Sequence, residues 1–255
     1  IRGIHVPALG EDVVCITASD IPGANVLKIE DETMPLLARD ECTYVGEPVA
    51  IIAGPNQREV VAAIGTIEVE YEELLGTFSF AHPSSSHIIT HREGSRGDVD
   101  GALKRAFGRV EGTYRTGAQE HLYNEPQGAV AIPEEGRMLI RSATQWPFHV
   151  RTTVANALGI RPNRCVVRPT DPGIALDGKL WYPSLVAAHA ALLAQKTGRA
   201  VKLVYSNIED FCFSPKRAPF YMRYLTGVDR DGGITGARVE VVYNAGAYGL
   251  FTDEI

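Results

Sequence analysis

The sequence predicts an α+β protein built in two parts, and three observations carry that prediction. Short β-patterned segments recur along the chain, two segments at 147–158 and 184–197 have helical length and apolar content, and an aperiodic polar stretch at 76–96 separates a first part from a second.

With 255 residues, 45% hydrophobic and 22% charged, the chain has the composition of a globular protein that buries a core. Its 31 acids and 25 bases give a net charge of -6 and include no basic run, so nucleic acid is not an expected partner. No stretch approaches the roughly 18 to 20 consecutive apolar residues of a membrane span. Ile1-Arg2-Gly3-Ile4-His5 is not the start of a secretory leader, and a cytoplasmic protein without a membrane partner is expected. Cys15, Cys42, Cys165 and Cys212 lack CxxC spacing, which predicts reduced thiols rather than a disulfide framework or local iron–sulfur ligands.

The elements follow in order. Residue 1 already lies in strand-like text, and few residues follow Gly249, so the chain reads as incomplete at both ends. Val13-Val14-Cys15-Ile16-Thr17 is a buried strand, and Ser19-Asp20-Ile21-Pro22 opens a turn. Residues 44–53 read as a tight turn entering a buried strand. Asn56 caps a helix through Ile64, and the alternation of Ile67-Glu68-Val69-Glu70-Tyr71-Glu72 predicts a half-exposed strand. In the stretch 76–96, His82, His87 and His91 have no ligand spacing and are read as solvated imidazoles. Beyond it, Asp98 starts a short helix, and strands are expected at 110–116, 128–132, 138–143 and 165–168. Helices at 147–158 and 184–197 follow, the second ended by Gly198. Strands at 201–205, 221–228 and 234–243 complete the set, the last two joined by the turn-forming Asp229-Arg230-Asp231-Gly232-Gly233 and therefore paired antiparallel.

Seven short motifs occur in one order. They are Leu36-Leu37-Ala38 with Tyr44-Val45-Gly46-Glu47-Pro48-Val49-Ala50, Val69-Glu70-Tyr71-Glu72-Glu73-Leu74, Gly97-Asp98-Val99-Asp100, Glu111-Gly112-Thr113-Tyr114, Glu120-His121-Leu122-Tyr123-Asn124-Glu125-Pro126 and Thr144-Gln145-Trp146-Pro147. In that series the chain resembles the molybdopterin-binding large subunits of the xanthine dehydrogenase and aldehyde oxidase family over nearly its whole length. The resemblance implies an α/β hammerhead domain at 1–75, a linker at 76–96, and part of a first molybdopterin-binding α+β domain at 97–255. It also implies molybdenum-molybdopterin, with a cytosine dinucleotide form open, as cofactor. Iron–sulfur clusters and FAD would belong to partner subunits or further segments, and the full complex could form a homo-oligomer.

Family members hydroxylate an aldehyde or an N-heterocycle such as a purine, with oxygen derived from water. By resemblance, Gln145 directs a neutral amide donor toward the molybdenum oxo group without ligating the metal. The carboxylate that accepts the proton is implied downstream of this chain, so no catalytic residue is assigned here. The family's glycine-rich cofactor loop corresponds to Pro169 to Lys179. Aligned on Gly178-Lys179, the loop keeps Gly173, places Leu176 at the family phenylalanine, and has Ile174, Ala175 and Asp177 where the family has glycine. Gly173, Leu176, Asp177 and Gly178 are thus the implied cofactor contacts, and Leu180 stands where relatives commonly carry an acid. Trp181 and Tyr182 are open to two readings, an aromatic wall for substrate or core. A degenerate paralogue without molybdenum, acting as a scaffold or partner-binding protein, is the alternative function.

Overall fold

The computed structural model describes residues 1–81, 88–174 and 177–250. His82, His87 and the proposed cofactor contact Leu176 lie outside the described residues.

β1 (Gly3–His5) and β2 (Val14–Thr17) are short, and β3 (Leu27–Ile29) and β4 (Glu32–Met34) form a tight hairpin. Its two-residue loop holds Glu30 at a φ of 51°, a position without the glycine or asparagine that would have signalled the turn in the sequence. A glycine does mark the next turn, Gly46 at φ 95°, which leads into β5 (Ala50–Ala53). In α1 (Gln57–Ile64) the Asn56 side chain accepts from the Glu59 N–H at 3.1 Å, as its N-cap position predicts. β6 (Glu68–Glu70) is shorter than its alternating pattern because it pairs only with the three residues of β1.

Further on, Asp98 caps α2 (Val99–Arg105) by accepting from Gly101 N, and β7 (Gly108–Arg115) follows. Then come β8 (Gly128–Glu134), β9 (Arg137–Ala143), α3 (Pro147–Leu158), β10 (Cys165–Thr170) and α4 (Tyr182–Thr197). α4 begins two residues before the predicted Ser184, since Pro183 is tolerated in the first turn. After β11 (Val201–Val204) stands a helix that hydrophobic periodicity did not reveal, α5 (Asn207–Phe213). Its start is nevertheless written in Ser206-Asn207-Ile208-Glu209: Ser206 Oγ accepts from Glu209 N, and Glu209 Oε2 accepts from Ser206 N. β12 (Phe220–Val228) and β13 (Ile234–Tyr243) end the series.

The chain divides into two compact units, Ile1–Leu74 with Glu120–Pro215 and Leu75–Gln119 with Lys216–Ile255. In the first, β10-β9-β8-β11 form a sheet in which β9 and β10 are parallel and the other pairs antiparallel. α4 is buried from Tyr182 to Ala194 with Ser184 and His189 as polar residues in an otherwise largely apolar stretch, so it is the central element of this unit. It packs on α3, the sheet, β2 and β5, and its run of alanines allows close approach. The end of α3 is sealed by another segment: Gly23 N and Ala24 N donate to the carbonyls of Ala157 and Asn156 at 3.0 and 2.9 Å. A side chain at Gly23 has no room, because its Cβ would stand 2.0 Å from Asn156 O.

In the second unit β12 is the middle strand of an antiparallel sheet ordered β13-β12-β7, which includes the expected β12–β13 hairpin. Asp229 Oδ1 accepts from the N–H groups of Asp231 and Gly233 and closes the turn. α2 lies on one face of this sheet over two bare positions. A Cβ at Gly227 would approach Ala106 Cβ to 2.8 Å, and one at Gly236 would approach Ala102 Cβ to 3.0 Å.

Candidate cofactor-binding site

β9 ends at Ala143 and the chain turns sharply into α3. Thr144 Oγ1 accepts from Trp146 N at 3.0 Å, and Pro147 supplies the fixed φ of the first helical position. Between them Gln145 is exposed, while its N–H donates to Lys179 O at 3.0 Å. The same bond fixes the far end of the loop, where a 3-10 turn at Asp177–Lys179 precedes α4; Pro169 and Thr170, placed in the loop by the sequence, are the last two residues of β10. The sequence-derived pair Gln145 and Gly178-Lys179 is therefore brought together, through backbone.

The loop rests on the segment 123–127. Gly173 N donates to Glu125 Oε1 at 3.0 Å, and Gln127 Nε2 donates to Gly178 O at 2.5 Å. Lys179 has 0% exposure, and its Nζ donates to the carbonyls of Glu125 and Pro126 at 3.0 and 3.1 Å. The ammonium also lies 4.2 Å from the centre of the Tyr123 ring and 3.8 Å from Glu125 Oε1. Burial lowers the Lys179 pKa, against which the charges of Glu125 and Asp210 act.

A second layer completes the cluster. Tyr123 Oη donates to Asp210 Oδ1 and accepts from Gln127 Nε2, both at 2.8 Å. Asp210 comes from α5, and the hydroxyl of Ser214, which follows the helix, donates to the Asp210 carbonyl at 2.5 Å. Burial pushes the Tyr123 phenol and the Asp210 carboxyl upward, the latter despite the Tyr123 hydrogen bond.

The glycines separate by role. Gly178 is buried, and a Cβ there would stand 2.3 Å from Tyr123 Cε1, so internal packing already requires its bareness. Gly173 is exposed, and the nearest atom a Cβ would meet is the end of the Glu125 side chain at 2.6 Å. Asp177 is exposed, as is Ile174 at 42%. Tyr182 is core rather than a substrate wall, donating to Phe213 O at 3.1 Å with 2% of its surface exposed. Sequence reasoning used Lys179 only to align the loop and gave no role to Gln127 or the Tyr123–Asp210 pair; the Ser206-x-x-Glu209 box was the available pointer to the helix that presents Asp210.

A model of the molybdopterin cofactor-binding domain matches residues 81–255, and one of the aldehyde oxidase and xanthine dehydrogenase a/b hammerhead domain matches residues 8–75. The chain belongs to the xanthine dehydrogenase and aldehyde oxidase family. Within this family of molybdenum oxidoreductases it is 32% identical to aldehyde oxidase 4 of Cavia porcellus over 94% of its length and 33% identical to the xanthine dehydrogenase of Blastobotrys adeninivorans over 83%. It spans only 18% and 15% of those two relatives. The fold matches quinoline 2-oxidoreductase from Pseudomonas putida 86 with a TM-score of 0.75 at 24% identity, over 94% of this chain and 33% of that one. The hammerhead and molybdopterin-binding α+β architecture expected of the family is thus the fold of this chain. No helix among the described residues is long and apolar enough to cross a membrane.

Proposed function

We propose that this chain is part of a molybdenum hydroxylase large subunit that oxidatively hydroxylates an aldehyde or N-heterocycle with water-derived oxygen. It would contribute the hammerhead domain at 1–75, a linker at 76–96 and part of the first molybdopterin-binding domain at 97–255. The observation that carries the reading is the match to the cofactor-binding domain over 81–255, with Gln145 exposed at the end of β9 beside the Gly173 to Lys179 loop. No observation favours a non-catalytic scaffold.

The donors present fit molybdenum-molybdopterin in part. Gln145 offers an exposed neutral amide, suited to an oxo group because it adds no charge, and the exposed backbone at Gly173 offers close approach. Asp177 lies on the same exposed rim, whereas Gly178 is buried and supports the loop from beneath. Bound there, the cofactor supplies the hydroxylation chemistry itself. The chain's own share is to hold Gln145 and the loop in fixed register through the Gln145 N to Lys179 O bond. The proton-accepting carboxylate is assigned to a segment beyond this chain. Iron–sulfur and FAD domains or subunits would carry electrons away, in a cytoplasmic complex that could form a homo-oligomer. Whether the pterin carries a cytosine nucleotide is decided by releasing and identifying it.

Purification of the complete protein from a cofactor-making host tests the assignment. Near-stoichiometric molybdenum with turnover of an aldehyde or N-heterocycle supports it, and metal-free protein overturns it. The 255 residues alone should show no turnover with cofactor supplied, and any hydroxylation by them would refute the placement of the proton acceptor elsewhere.

A further inference from the structure

Lys179 has 0% exposure, and its ammonium lies 3.8 Å from the Glu125 carboxylate, too far for a hydrogen bond. Burying a lysine is expensive unless its donors are used, and two of its three are spent on successive carbonyls, those of Glu125 and Pro126. Its ammonium thus points into the protein, away from the exposed rim formed by Gly173, Ile174 and Asp177. Yet its backbone carbonyl is the acceptor for Gln145 N–H at 3.0 Å.

From this geometry we infer that Lys179 is a positioning residue: its grip on the Glu125 and Pro126 carbonyls fixes the loop end, and that end sets the place of the Gln145 amide. Gln127 assists by holding the adjacent Gly178 carbonyl. The role explains why the Glu125-Pro126-Gln127 segment and Gly178-Lys179, 51 to 54 residues apart, meet through three hydrogen bonds to backbone carbonyls. The inference rests on the reading of Gln145 as the donor beside the cofactor, but its structural half is measurable without any cofactor.

The test uses the complete protein with Lys179→Met, Lys179→Arg, Gln145→Ala and the Lys179→Met/Gln145→Ala pair. Amide hydrogen exchange over residues 144–146 is followed in cofactor-free protein. Lys179→Met should speed exchange at Gln145 about tenfold with exchange in β9 and α4 unchanged, and Lys179→Arg should recover part of the protection. In loaded enzyme, Lys179→Met should lower kcat about tenfold and leave KM within about twofold, and the double variant should lose no more than Gln145→Ala alone. Unchanged exchange at Gln145, or losses that add in the double variant, overturns the positioning role. Should Lys179→Met fail to fold, Gln127→Leu must give the same faster exchange at Gln145, and its failure to do so also overturns the role. Absence of molybdenum from the unsubstituted protein would instead refute the proposed function, leaving the exchange result to decide the Lys179 to Gln145 linkage.

Discussion

His189, buried within α4, donates from Nε2 to the carbonyl oxygen of Leu36 across 2.7 Å. The bond joins the Leu36-Leu37-Ala38 motif to the central helix. A carbonyl can only accept, so the bonded nitrogen carries the proton. Burial draws the imidazole down from 6.5 to about 4, even though the Leu36 bond acts the other way.

This histidine makes stability depend on pH. The unfolded chain takes up the proton near 6.5 and the folded chain only near 4, so between these values the unfolded state binds more protons. The contribution is complete above 6.5 and is lost as pH falls toward 4, by up to about 3 kcal/mol. Urea unfolding across that window should show the slope, and His189→Leu should remove it. The same variant should cost about 1–3 kcal/mol at neutral pH, because Leu36 O loses its donor in the core.

Gly178→Ala and Gly173→Ala should differ, although both remove a loop glycine. At Gly178 the new methyl meets the Tyr123 ring at 2.3 Å, in a cluster held by hydrogen bonds, and a loss of roughly 1–3 kcal/mol is expected. At Gly173 the obstacle is the end of the Glu125 side chain, which can shift more readily than a packed ring but at the expense of its hydrogen bond to Gly173 N, so a smaller loss of about 0.5–1 kcal/mol is expected. Thermal unfolding of the two variants measures the contrast. Equal losses would show that Tyr123 yields as easily as Glu125.

Tyr123→Phe should destabilise by about 1–3 kcal/mol, since it strips Asp210 of a donor and Gln127 of an acceptor inside a buried cluster. Pairing it with Asp210→Asn should give a non-additive loss, because the two residues share one bond. Additive losses in a double-mutant cycle would count against the coupling.

Gly23→Ala should be among the more costly single-methyl additions in this chain, at the top of roughly 1–3 kcal/mol. The obstacles are backbone atoms, Asn156 O at 2.0 Å and Gly159 N at 2.6 Å, and they belong to the end of a packed helix. A melting temperature unchanged by this substitution would refute the close seating of residue 23 on α3.

Most of the elements were legible because their signals are local. Asn56 and Asp98 announce helix starts, Gly198 takes up φ 66° at a helix end, and the Asp229 turn sets the β12–β13 hairpin. The β3–β4 hairpin was illegible because Glu30 occupies a left-handed position normally given to glycine or asparagine. α5 escaped periodicity because it is only seven residues long and its apolar side chains Ile208 and Phe211 are exposed.

Family membership, the order of motifs and the candidacy of Gln145 and the glycine-bearing loop were fixed by residue identity alone. The tertiary structure decided which way the described loop residues face. Lys179 turns inward onto carbonyls 53 and 54 residues away, Gly178 is bare because Tyr123 lies against it, and Tyr123 meets Asp210 across 87 residues. Such pairings satisfy buried charges and polar groups at long range, and local sequence patterns of period 2 or 3.6 do not encode them.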